Sequence, residues 1–267
     1  MKKTARSLMA LVLALTLSLS LAGCSIGLDD MLIVKRAYKQ VSEMDSLSFT
    51  VKAELEGTAG SLPVKLSADA DCQCVIEPTT LKAQLALDLG KLGKFSLPLY
   101  VFSRDNALQV LAGLGRSGST VWVSNSIPYA EKEDEDNQTA NKLTVEEVLN
   151  MLQDDPEALS VGESESINGV SCRPFKLKIP GAVLMEALDL KVPQGSSAAV
   201  ADTLVTVWIA EKDGVPMRLS GDLASLCQYI LDVANADYLP KMKLKRMPVT
   251  VDITGYNNVE SITLPTA

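Results

Sequence analysis

The residues best equipped for chemistry in this chain are its five cysteines, Cys24, Cys72, Cys74, Cys172 and Cys227. A thiolate can attack an electrophile, ligate a metal, carry a lipid or close a disulfide, and its neighbours decide which. The commonest helper is missing, because the 267 residues include no histidine. That excludes a Cys-His or Ser-His dyad, an HExxH zinc site and an imidazole pH switch. Cys72 and Cys74 form C-x-C, but a tetrahedral metal site needs two more ligands. With Cys24 committed elsewhere, only Cys172 and Cys227 remain, so neither a metal nor another cofactor is expected. The serines occur in no S-x-x-K or G-x-S-x-G setting. Asp69 and Asp71 fall on the polar side of an alternating run, which is a solvated strand face and not the carboxylate pair of a glycosidase. Gly113 to Gly118 satisfies G-x-G-x-x-G, yet Ser119-Thr120-Val121-Trp122-Val123 continues as a strand. Without a helix N-terminus no pyrophosphate is held, and the glycines are read as a hairpin loop. The acidic run Glu131 to Asn137 lacks the ligand spacing and turn glycine of a calcium loop and is read as a solvated loop. No enzymatic activity is expected.

Charge narrows the partners. Lys and Arg number 25 against 33 Asp and Glu, a net of -8, and a chain without a basic surplus is a poor match for nucleic acid. The one basic cluster, Lys241, Lys243, Lys245 and Arg246, suits either anionic headgroups or a strand edge guarded against pairing.

Cys24 stands in a setting of its own. Lys2, Lys3 and Arg6 precede an apolar run from Leu8 to Ala22 that is 15 residues long. A spanning helix needs about 20, so the run reads as the h-region of a secretory signal behind a charged n-region. It ends in Leu21-Ala22-Gly23-Cys24, which resembles the lipobox of bacterial lipoproteins. The resemblance implies that Cys24 receives a diacylglyceryl group, that residues 1–23 are removed as signal peptide, and that residues 24–27 are a short lipidated tether. The mature chain would carry 22 Lys and Arg against 33 Asp and Glu, net -11. It would be held on the extracytoplasmic side of a bacterial membrane by acyl chains, two of which anchor stably where one does not.

Residues 28–267 read as one α+β domain. Leu28 to Ser46 places Met31, Val34, Tyr38, Val41 and Met44 on one helical face. From Leu47 the period becomes two, with Phe49, Val51, Ala53 and Leu55 alternating against Thr50, Lys52 and Glu54, and similar runs follow at Val64 to Ile76 and Leu81 to Leu89. One dry and one wet face is the pattern of an antiparallel sheet. Further strands are expected at Phe95–Ser103, Leu108–Ala112, Thr120–Asn125, Val170–Ile179, Thr203–Glu211, Met217–Gly221 and Lys243–Thr254, about ten in all. Helices are expected after the capping box Thr144-Val145-Glu146-Glu147, from Pro180 to about Leu190, and after Asp222, where Leu223, Leu226, Cys227, Ile230 and Leu231 form a stripe.

Several stretches together are similar to the LolA-like and LppX-like bacterial lipoproteins. They are the lipobox, the Met44-Asp45-Ser46-Leu47 step after the first helix, Ile167-Asn168-Gly169-Val170 opening a strand, the segment from Trp208 to Arg218, and the closing Val249 to Asn257. The resemblance implies a curved, unclosed antiparallel half-barrel with helices on its concave side and room between for a lipid or acyl chain. The dry faces are built from Ala, Val and Leu with 4% aromatics, which leaves the interior narrow side chains. Phe49, Val51, Leu66, Leu85 and Leu87 on the sheet, with Leu226 and Ile230 on a covering helix, are the expected lining of a hydrophobic groove. The other function open to such a chain is a non-enzymatic surface module with a solid core, its protein partners unspecified. The four remaining cysteines, Cys72, Cys74, Cys172 and Cys227, are either disulfide partners in an exported protein or small buried hydrophobes.

Overall fold

The computed structural model describes residues 27–90, 93–104, 107–116, 119–128, 159–187, 200–233 and 242–265. Thirteen strands form one antiparallel sheet. They are β1 (Ser46–Ala59), β2 (Leu62–Val75), β3 (Thr80–Asp88), β4 (Lys94–Arg104), β5 (Ala107–Arg116), β6 (Ser119–Pro128), β7 (Leu159–Val161), β8 (Glu165–Ile167), β9 (Val170–Ile179), β10 (Thr203–Ala210), β11 (Pro216–Asp222), β12 (Met242–Arg246) and β13 (Pro248–Tyr256). Their order is β6-β5-β4-β3-β2-β1-β13-β11-β10-β9-β7, with β12 paired to β1 and β8 to β9. The two ends of that path, β6 and β7, do not meet, so the expected unclosed α+β sheet is the fold observed.

The strand count rises from ten to thirteen for local reasons. β7 and β8 are three residues each, too short for a period of two to show. The expected strand Lys243–Thr254 divides at Met247, because the Met247 N–H turns to Asp222 Oδ1 at 2.9 Å and Pro248 has no N–H to give. β12 and β13 then pair with different stretches of β1, Thr58 meeting Lys243 and Val51 meeting Val251. The glycine-rich segment proves narrower as a loop than expected. Gly113 and Gly115 lie inside β5, which pairs with β6 up to Arg116 against Ser119. A Cβ on Gly113 would sit 2.7 Å from Pro98 Cγ.

Three helices are described. They are α1 (Leu28–Ser42), α2 (Gly181–Ala187) and α3 (Ala224–Val233). α1 buries Ile33, Val34, Ala37 and Val41 and leaves Tyr38 38% exposed. The buried stripe is therefore rotated from the expected one, which included Tyr38. The contacts that seat α1 set this rotation. Arg173 Nε lies 2.9 Å from Asp30 Oδ1, and Arg36 Nη1 donates to the Lys212 carbonyl at 2.8 Å. Between them Gly214, at φ +77°, comes so close that a Cβ would sit 2.4 Å from Arg36 Cβ. α3 starts where Asp222 Oδ1 accepts the Ala224 N–H at 3.0 Å, the expected cap. The helix expected after Thr144 and the acidic run 131–137 lie outside the described residues.

The main core joins all three helices to one end of the sheet. Val34 and Ala37 of α1, Val183 and Leu184 of α2, and Leu226 and Tyr229 of α3 close over Phe175, Leu177, Val207 and Ile209. Beyond the ladder, Tyr256 donates its hydroxyl to the Pro216 carbonyl, and burial pushes that phenol well above the usual tyrosine range.

Candidate functional site

Strand register turns the alternating pattern into a surface. Leu97 pairs with Leu85, Leu85 with Ala70, Ala70 with Val51, and Val51 with Val251. The same row continues from Val251 to Leu219, Val207, Phe175 and Val161. Nine strands thus share one unbroken apolar line, because every pairing keeps the period-two dry face on the same side.

Burial along the line is uneven. Phe175 is 0% and Val207 1% exposed beneath the helices, while Val251, Val51, Ala70, Leu85 and Leu97 are only half-buried. Farther out, Leu114 is 49%, Val121 63% and Val123 49% exposed. The core clusters beneath the helices include residues of β7, β9 and β10 but none of β1 to β6, while farther out the paired Cys72 and Ala83 are buried on the same face. The sheet has more dry face than its described helices cover.

Five expected groove residues fall on this open part. Phe49 pairs with Cys72, Val51 with Ala70, Leu66 with Leu55, Leu85 with Ala70, and Leu87 with Ala68. On β2, Ala70 lies between the taller Val51 and Leu85, while Ala68 faces Ala53 and Leu87 and Cys72 faces Phe49 and Ala83, so small residues of β2 run between taller ones on alternate sides. Ala68 to Cys72 spans about 14 Å at the antiparallel rise. Leu226 is placed apart from these five. It is 7% exposed and sits in the helix-covered core with Tyr229 and Val207. The Ile230 side chain and Cys24 lie outside the described residues.

The rim of the face was missed from sequence. Phe95 is 51% and Leu62 69% exposed, and both stand beside hairpin turns on the dry side. Their signal was present in the alternation of β2 and β4, but alternation does not say which dry positions a helix will cover.

A second concavity of about 450 Å³ lies where α3 meets β12 and the ends of β10 and β11, lined by residues including Asp202, Ser225, Gln228, Asp232 and Lys245. It had no sequence signature, since three separate segments build it. Its polar groups are largely engaged within the fold. Gln228 Oε1 accepts the Leu244 N–H at 2.7 Å and its Nε2 donates to the Met242 carbonyl at 3.1 Å. Ser225 Oγ accepts the Ala201 N–H at 2.7 Å. These bonds fasten α3 to β12 and explain the polar character of the cleft without a ligand. Among the described residues no group of three or more acids or cysteines is placed to hold a metal.

Cys72, Cys74, Cys172 and Cys227 stand as free thiols, Cys72 and Cys172 buried and the other two half-buried. β2 and β9 stand five strand spacings apart in the sheet, about 24 Å measured along it, far beyond disulfide reach. Burial raises the pKa of all four thiols, that of Cys72 to about 11. They are protonated at neutral pH and poor nucleophiles. Lys243, Lys245 and Arg246 are exposed on β12, with Arg246 Nε 3.9 Å from Asp222 Oδ2; Lys241 lies outside the described residues. No helix among the described residues is long and apolar enough to cross a membrane.

No family model matches the chain, and no curated protein does. Two solved lipoprotein structures overlap most of it. LppX from Mycobacterium tuberculosis is 12% identical, with a TM-score of 0.45 over 87% of this chain and 97% of its own. LprF from Mycobacterium bovis is also 12% identical, with a TM-score of 0.45 over 88% and 96%. A DUF1329 family protein from Desulfovibrio piger overlaps with a TM-score of 0.21. These scores fall below the level that establishes a common fold, so function is argued from the geometry of this chain.

Proposed function

We propose that this chain is an extracytoplasmic lipoprotein whose sheet face beyond the described helices holds a lipid or other hydrophobic molecule. Residues 1–23 act as its signal peptide and Cys24 as its diacylglyceryl anchor. The observation that carries the reading is the single apolar row, covered by the described helices at its β9 and β10 end and only half-buried from Val251 on β13 to Leu97 on β4. Soluble chains rarely leave a contiguous apolar area of this kind without a use for it. Seven strands make about 29 Å of dry face, wide enough to lay an extended acyl chain across it. Binding would be driven by removing apolar area from water, at about 25 cal/mol per Å², with no covalent step. Uneven burial is also what favours a carrier over a solid-core surface module, in which native packing density would run across the whole sheet.

The test is native mass spectrometry of the purified chain with organic extraction, paired with titration of a fluorescent acyl probe. Co-purified lipid, or saturable probe binding that Leu85→Asp abolishes, is the expected result. A chain that carries no lipid and takes up no probe would remove the proposal.

A further inference from the structure

One end of the sheet puts large apolar side chains into water. There β1 meets β2 at Ala59 and Leu62, β3 meets β4 at Asp88 and Lys94, and β5 meets β6 at Arg116 and Ser119. Within two residues of these junctions stand Leu62, Phe95, Leu114 and Val121, all exposed. Phe95 pairs with Leu87 and Leu87 with Ala68, while Leu114 pairs with Val121 and shares the side of Ala112, the partner of Leu99. The pleat therefore sets all four on the dry side, spread from β2 to β6 over about 19 Å. Ile76, just past the other end of β2, is half-buried.

The basic strand lies at the same end. β12 runs against the last residues of β1, Thr58 meeting Lys243 and Gly57 meeting Leu244. Its five residues hold three bases and no acid, in a chain whose net charge is -8. Met242 and Leu244 are half-buried, and Lys243, Lys245 and Arg246 are exposed. The neighbouring charges pair among themselves, Lys65 with Glu56 at 3.0 Å and Lys94 with Asp88 at 3.2 Å, so β12 adds positive charge to this end.

Exposed apolar side chains at strand ends beside a basic strand match the two layers of an anionic bilayer surface, its acyl boundary and its headgroups. α1 agrees with that match. Its Asp30 meets Arg173, whose partner Ile209 belongs to the helix-covered core, so α1 starts on the dry side. A tether from Cys24 would leave the chain on the side that the four exposed residues occupy. We infer that the chain docks by this end, dry side first, on an anionic membrane, with Leu62, Phe95, Leu114 and Val121 in the acyl boundary and Lys243 and Lys245 on phosphate headgroups. Its part in lipid uptake rests on the carrier reading, for which it names the bilayer as the place where the ligand is collected.

The test uses the full chain reconstituted into vesicles of phosphatidylcholine, alone or mixed with phosphatidylglycerol. A polarity-sensitive dye is placed on Leu62→Cys or Phe95→Cys, with Asp69→Cys, exposed on the wet side, as control. The unsubstituted chain, labelled alongside, supplies the background from the native thiols. On the mixed vesicles the dye at positions 62 and 95 is expected to shift to the blue and to be quenched by brominated acyl chains, while at position 69 it stays in water. Lys243→Gln and Lys245→Gln are each expected to weaken this contact about fivefold and to leave acyl-probe affinity in detergent unchanged. Dyes at 62 and 95 that stay as wet as the one at 69, or a contact that the two lysine substitutions together leave intact, overturn the inference. Docking without acyl-probe binding removes the carrier reading alone, and the mass of the chain reports the Cys24 anchor independently.

Discussion

Paired truncations along the apolar row measure where core ends and site begins. Phe175 is fully buried beneath the helices, and Phe→Ala at such a position costs about 3–5 kcal/mol. In a domain of this size each kcal/mol moves the melting temperature by about 2–4 °C, so Phe175→Ala is expected to lower it by roughly 6–20 °C. Leu85 lies in the same row but is half-buried. Full burial of Leu is worth about 1.5–3 kcal/mol; half of that, with no closed cavity left behind, gives about 1 kcal/mol and a shift of about 2–4 °C. Binding should respond in the opposite order. If a ligand covers what the fold leaves open on Leu85, Leu85→Ala loses about 1 kcal/mol of affinity, about fivefold in Kd, while folded Phe175→Ala stays within about twofold. Differential scanning calorimetry and acyl-probe titration read the two quantities. Should Leu85→Ala destabilise as much as Phe175→Ala and leave probe affinity unchanged, the face of β1 to β6 is covered core and the reasoning fails.

Two further outcomes follow from single residues. Gly214→Ala forces a side chain into a left-handed conformation at φ +77° and into Arg36 Cβ. About 2–4 kcal/mol is expected, together with faster amide exchange along α1, and an unchanged melt would show that this turn does not seat the helix. Raising pH tests the thiols. Burial lifts Cys72 from 9.0 to about 11, so the folded state holds its proton longer than the unfolded one. Its contribution to stability is intact below pH 9 and is lost as pH rises towards 11. Urea midpoints at pH 8 and pH 10 should show that decline, and an unfolded, non-reduced sample should titrate four thiols besides Cys24. Three or fewer would mean that a bridge or modification consumes one.

Strands were legible from sequence wherever one face meets water. The wet positions Lys52, Glu54, Asp69 and Asp71 mark the period as clearly as Val51 and Ala70 do, and ten expected strands appear within a few residues of their places. Legibility failed where the period had no room, in β7 and β8, and where a side chain from elsewhere intervened, as Asp222 does at Met247. The α1 stripe was displaced for a similar reason. Its rotation depends on Asp30 meeting Arg173 and on Gly214 admitting Arg36, contacts that no helical periodicity contains.

The amino-acid sequence by itself determined the kind of fold and narrowed the chemistry. Absent histidine removed the commonest catalytic dyads, and alternation dictated a sheet with one dry face. Both are properties of residue type and near neighbours, which a chain carries before it folds. Only the tertiary structure decided how that face is used. Val51, Leu85, Val207 and Phe175 have the same apolar character and the same alternating context, yet two are buried and two only partly so. The difference lies in which segment of the sheet the helices reach, and that is fixed by register and ion pairs between residues more than a hundred positions apart.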